Sequence, residues 1–319
     1  MDIHYYLLIN GQAKGGYGAQ AAKKIMQQLQ KRKLAYTIYY TEYAGHESVL
    51  TEELALTTLK PWTANQKEKA FPLLVVLGGD GTLHNVLNTL DRFDPTIPLG
   101  YLPCGSGNDF ARGAGISGNV NQALAQLLSV ETPKELQVIH YREANQEEVG
   151  LAANNLGIGL DAAIVEKTNT SRSKNTLNKF NLGSFSYLFS ILHVLFKQKG
   201  FPILVEANGK QHTFSKAFLC TVTNHPYFGG GVAILPKADP MKPVVDLVVV
   251  ERGSLFRIFW LILLLARGKH TAAKQFHHFH SKKIRIVSTL PQFIHADGEI
   301  LGQRSVDFAF ETTPRFFWF

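Results

Sequence analysis

The hydrophobic residues of this chain change their period near position 130. Before it, short apolar runs alternate with stretches of helical spacing. Tyr5 to Ile9, Tyr36 to Tyr40, Leu73 to Leu77 and Leu99 to Leu102 read as strands. Helices are expected over Ala19 to Gln30 and Glu47 to Leu59, and again where Leu83, Val86, Leu87 and Leu90 fall on one face. This βα alternation predicts a doubly wound parallel sheet with helices on both faces. After Pro133 strand-like runs follow one another with few helices: Leu136 to Tyr141, Glu148 to Asn154, Ile203 to Ala207, Ala217 to Thr223, Val244 to Val250, Lys283 to Ser288 and Val306 to Phe310. They predict an antiparallel β-sandwich or flattened barrel, the sandwich being the reading adopted. The expected division is an α/β domain over 1–132 and a β domain over 133–319, the extreme C-terminus being free to pack back on the first. Two apolar helical stretches, Phe185 to Phe196 and Leu255 to Ala266, interrupt the second part.

Two strand-to-helix turns carry the candidate chemistry. The run ending at Leu77 meets Gly78-Gly79-Asp80-Gly81-Thr82, and the run ending at Leu102 meets Pro103-Cys104-Gly105-Ser106-Gly107-Asn108-Asp109. Glycines let a backbone approach an anion, and free N–H groups at a helix start point at its charge. Such a pair suits a phosphate. Gly78, Gly79, Gly81 and Thr82 can donate, Asn85 and Ser106 can add polar contacts, and Asp80 is a hard oxygen ligand suited to Mg²⁺ against phosphates. A third glycine turn, Asn10 to Gly16, follows the first strand but lacks the Gly-Lys-Ser/Thr ending of a Walker A loop. Near the C-terminus, His295-Ala296-Asp297-Gly298-Glu299 sets two carboxylates in a turn. Asp-Gly is a common hairpin turn, yet either carboxylate could accept a proton.

The combined motifs GGDGTLHNVLN and LPCGSGNDFAR resemble the diacylglycerol kinase catalytic-domain family, bacterial lipid kinases related to sphingosine and ceramide kinases. The resemblance runs from Asn10 to Glu299. It implies ATP-dependent phosphorylation of a lipid hydroxyl, most simply diacylglycerol giving phosphatidic acid, with Mg²⁺. It implies nucleotide contacts at Asn10, Gly11, Thr41, Gly78, Gly79, Gly81, Thr82, Asn85, Ser106, Asn108 and Asp109, a proton acceptor in the Asp297-Gly298-Glu299 turn, and a metal role for Asp161 at the end of Asn154-Asn155-Leu156-Gly157-Ile158-Gly159-Leu160. Gly11 stands where the family usually has proline, and Thr41 reads equally well as a strand-end hydroxyl. Many members hold a structural Mg²⁺ with an Asp-Asp-Gly; here Met241 and Lys242 replace the aspartates. Two readings of Lys242 are open: its ammonium supplies the missing positive charge to Asp161 or Asp246, or it is a solvent-facing lysine in a proline-bounded loop. An NAD kinase and a nucleotide-binding lipid sensor without turnover are the alternatives.

Composition narrows the partners. Of 319 residues, 33 are basic and 25 acidic, for a net charge of +8. That favours an anionic phospholipid surface or nucleotide, and no nucleic-acid module is present. The longest apolar run, Ile258 to Ala266, is nine residues, against about 20 for a membrane span. With two unpatterned cysteines and no signal-peptide pattern at MDIHYYLLINGQ, a cytoplasmic protein peripheral to the membrane is expected. A homodimer is compatible with all of this. Phe185, Leu188, Phe189, Leu192, Leu195, Phe196, Phe259, Leu263 and Leu264 either fill a core or line an acyl pocket, and Phe316-Phe317-Trp318-Phe319 either close the core or touch lipid.

Overall fold

The computed structural model describes residues 2–65, 69–160, 162–165 and 198–319. Asp161 and the stretch from Phe185 to Phe196 lie outside the described residues. The first unit contains β1 (Asp2–Ile9), α1 (Ala13–Lys31), β2 (Tyr36–Tyr40), α2 (His46–Thr57), β3 (Ala70–Gly78), α3 (Asp80–Leu90), β4 (Leu99–Pro103), α4 (Asp109–Ala114) and α5 (Val120–Leu128). Its four strands are parallel, in the order β2-β1-β3-β4. The continuous apolar runs of β3 and β4 are explained by burial on both faces.

Beyond Pro133 lie β5 (Lys134–Glu143), β6 (Glu148–Ala152), β7 (Asn155–Gly159), β8 (Phe201–Ala207), β9 (Lys210–Thr223), β10 (Tyr227–Phe228), β11 (Val232–Ala233), β12 (Val245–Glu251), α6 (Leu255–Ala266), β13 (Phe276–Ser281), β14 (Ile284–Ala296) and β15 (Glu299–Trp318). These strands pair antiparallel; β10 and β11 form a two-stranded sheet of their own, and the others share one 13-stranded sheet with the parallel strands. The join is β15. It pairs antiparallel with β14 and β5, and its end runs parallel to β4, with Phe317 beside Leu99 and Trp318 beside Gly100. Trp318 packs edge-on against Trp62 and, together with Phe317 and Phe319, joins the core of the first unit. The aromatic C-terminus therefore closes a core.

Helix α6 behaves differently. Ser254 caps it by accepting the Arg257 N–H. Only Ile258 is buried; Phe256 is 79% exposed and Trp260 52%. Among the described residues, no helix is long and apolar enough to cross a membrane.

Candidate active site

Three glycine turns meet at the C-terminal edge of the parallel strands. The Asn10 amide donates from Nδ2 to Thr82 Oγ1 at 3.0 Å, tying the first turn to the second. Gly79 and Gly105 touch backbone to backbone: a Cβ on Gly105 would lie 2.5 Å from Gly79 Cα. Glycine is needed here for close approach. Asn108, at φ 54°, closes the third turn by accepting the Gly105 N–H at 2.9 Å and donating to the Gly105 carbonyl at 3.0 Å.

Asp80 opens α3 and reaches the start of α4. Its carboxylate accepts the N–H groups of Asp109, at 3.2 Å, and Phe110, at 3.3 Å. Burial pushes its pKa up, and the neighbouring Asp109 charge adds to that; the two N–H groups oppose, leaving it at about 6. Asp109 directs one carboxylate oxygen to Arg112, at 2.8 Å, and the other to the N–H of Gly230, at 2.7 Å. It thereby fastens the glycine-rich turn of the second unit onto the first.

The Asp297-Gly298 turn joins β14 to β15 with φ of 51° and 92°, the left-handed pair that a tight two-residue hairpin requires. The Asp297 carboxylate points inward. It accepts N–H groups from Ala153 at 2.7 Å, Asn154 at 2.8 Å and Asn155 at 3.0 Å, and it pairs with His84 Nδ1 at 2.9 Å. Burial alone would raise its pKa; the hydrogen bond and charge of His84 and the backbone N–H groups outweigh that, and the net shift is downward. Burial likewise disfavours a charged His84, but Asp297 and then Glu299 reverse this, and its pKa is raised. Glu299 is exposed and lies against Gly81, where any side chain would collide with its Oε1. Among the described residues its carboxylate has no hydrogen-bond partner, so its lone pairs remain open.

The turns thus bring together Asn10, Gly78, Gly79, Asp80, Gly81, Thr82, Asn108, Asp109, Asp297 and Glu299. Gly11 packs near Tyr40, half-buried Thr41 follows β2, and Ser106 is exposed on the third turn. Asn85 is turned away: its amide donates to Glu47 of α2 at 2.7 Å. Of the two readings of Lys242, the substitute cation is corrected for Asp246 and the solvent-facing lysine holds; Asp161 lies outside the described residues. The Lys242 side chain is 64% exposed and its Nζ lies 3.7 Å from the neighbouring Asp239, while buried Asp246 is met by His278 and His280 instead. The loop that carries Lys242 is bounded by prolines and turns it to solvent. His84 and the N–H groups of 153–155 escaped the sequence reading. His84 could have been noticed four residues after Asp80, one helical turn along α3.

Residues 4–140 match the diacylglycerol kinase catalytic domain, and residues 154–317 match the YegS C-terminal NAD kinase beta sandwich-like domain. A provisionally named lipid kinase of Bacillus subtilis (strain 168), YtlR, is 30% identical over 98% of this chain and 98% of its own length. A protein named diacylglycerol kinase from Staphylococcus aureus is 26% identical over 88% of this chain and 85% of its own. A crystal structure of a provisionally named diacylglycerol kinase from Bacillus anthracis superposes with a TM-score of 0.73 at 21% identity, covering 100% of this chain and 95% of that one.

Proposed function

From the premise that this chain belongs to the diacylglycerol kinase catalytic-domain family, we propose that it transfers the γ-phosphoryl group of ATP to the hydroxyl of diacylglycerol, giving phosphatidic acid. The observation that carries this reading is the 2.9 Å contact between His84 and Asp297. It brings a glycine turn suited to phosphate against a turn holding an open carboxylate.

The roles divide by hydrogen bonding. The Gly79–Gly105 contact leaves a bare backbone where phosphates can approach, and Thr82, fixed by Asn10, adds a hydroxyl. Asp80 has a lone pair left on each oxygen, so it fits a hard cation, and Mg²⁺ there would offset phosphate charge. The Asp297 carboxylate already accepts from four groups, and its pKa is lowered; it positions rather than titrates. Glu299 is the proton acceptor. As the lipid oxygen bonds to the γ-phosphorus, its proton passes to a Glu299 carboxylate oxygen; the bond from phosphorus to the bridging oxygen breaks, and ADP leaves.

The lipid reaches this site at a membrane. Helix α6 offers exposed Leu255, Phe256, Trp260, Ile262 and Leu263, with Arg257, Arg267 and Lys269 exposed along it and at its end. An apolar face with cationic neighbours suits an anionic bilayer surface.

The test is a radiolabelled-ATP assay with a lipid panel and NAD in parallel. Labelled phosphatidic acid is the expected product. Label in the NAD lane only would overturn the reading, and nucleotide binding without product in any lane would favour a sensor.

A further inference from the structure

The geometry points to a binding site for a divalent transition-metal ion, of the Zn²⁺ or Co²⁺ class, built by Asp246, His278 and His280. Asp246 lies on β12, and His278 and His280 on β13, its antiparallel neighbour at the edge of the large sheet. Alternate residues of a strand share a face, so the two histidines project together. Asp246 pairs directly with His280. The potential ligand atoms of the three residues lie within 4.8 Å of one another.

The three side chains already converge on one point. Asp246 Oδ1 meets His278 Nε2 at 2.6 Å and His280 Nδ1 at 2.8 Å. The carboxylate is buried, with 5% of its side chain exposed, while the rings are 42% and 54% exposed. A cation could therefore enter from the solvent side and find the anion behind it. Zinc takes nitrogen and oxygen ligands at about 2.0–2.2 Å, which sets tetrahedral ligands about 3.3 Å apart. The present spacings of 2.6 and 2.8 Å need to open by about 0.5–0.7 Å to reach that separation, a movement within reach of two exposed rings. Each imidazole would carry its proton on the ring nitrogen facing away and offer the other lone pair to the ion.

The donor set selects the metal. Two imidazoles and one carboxylate suit Zn²⁺, Co²⁺, Ni²⁺ or Cu²⁺, whereas Mg²⁺ and Ca²⁺ prefer all-oxygen sites. Three protein ligands on an accessible face leave at least one position for water. The scaffold supports the arrangement. Asn208 donates to the His280 carbonyl at 3.0 Å, and Val248, Val250 and Phe276 continue the same face into the cluster that includes Ile258 of α6. Bound metal would clip the edge strand β13 to β12. The site is separate from the phosphate turns, and nothing in it depends on the proposed kinase chemistry.

The test uses the full chain freed of metal with a chelator, and Co²⁺ as the probe. Titration calorimetry and visible absorption should report one Co²⁺ per chain, displaced by Zn²⁺ and not by Mg²⁺, with the thermal midpoint rising as Co²⁺ is added. The chain has 12 histidines, so a comparison assigns the site. Because both rings are exposed, the His278→Gln/His280→Gln double variant should fold, which circular dichroism checks, and should lose this Co²⁺ and the thermal shift. Cobalt binding that is absent in the wild type, or equal in the double variant, overturns the proposal.

Discussion

Replacing Asp297 by Asn and Glu299 by Gln should give opposite phenotypes, although the two carboxylates share one turn. At Asp297 both oxygens are occupied: one accepts from Asn154 and Asn155, the other from Ala153 and His84. An amide has a single acceptor oxygen, so whichever way the substituted side chain turned, its NH₂ would face at least one buried backbone N–H. The charge partner of His84 would vanish as well. Breaking a buried pair costs roughly 3–5 kcal/mol. With an m-value near the upper end of about 1–3 kcal/mol/M in urea, the unfolding midpoint should fall by about 1–2 M. Glu299 is exposed and unpartnered among the described residues, so Glu299→Gln should change stability by about 0.5 kcal/mol or less. Its turnover should drop by about 10²–10⁴-fold, the usual worth of a general base. Urea unfolding followed by circular dichroism, beside the lipid phosphorylation assay, reads both effects. A Glu299→Gln enzyme with wild-type turnover, or an Asp297→Asn chain with an unshifted midpoint, would refute the assignment.

Asp80→Asn should abolish transfer and should remove the decline in stability that the nucleotide-free and metal-free wild type shows as pH rises towards about 6. The folded pKa of Asp80, about 6, exceeds the unfolded value; the native state therefore binds the extra proton, and wild-type stability falls as pH rises through that window. Melts of both proteins across the window should diverge towards higher pH, and parallel curves would remove the strain assigned to the ionised carboxylate. The chain should sediment with anionic vesicles more than neutral ones and lose this preference as salt rises, and Phe256→Ala/Trp260→Ala should weaken the binding; equal binding of all pairs would exclude α6 as the contact. Lys242→Met should leave the melting temperature within the range of a surface substitution, about 0.5 kcal/mol or less, and a large loss would restore a structural role for its ammonium.

What the sequence discloses depends on how far apart the partners are. The βα units were legible because burial on both faces leaves an uninterrupted apolar run, as in β3, and helix Leu255 to Ala266 was legible because its apolar residues are contiguous. The phosphate turns were legible because glycine, aspartate and helix start fall within five residues. β13 was not: its sequence FHHFHS alternates imidazole and phenyl rings on both faces, which no apolar period of two describes. Most of β15 was missed for a related reason. Its 20 residues are largely polar or half-buried and gain their order from β14, β5 and β4 rather than from their own pattern. The division of labour at Asp297 and Glu299 was the least legible feature. The residues that hold Asp297 come from 142 to 213 positions away, and a carboxylate's role is set by how many of its lone pairs are already taken. Two acids one residue apart look equivalent in a sequence. Only the folded chain gives one of them four donors and leaves the other open.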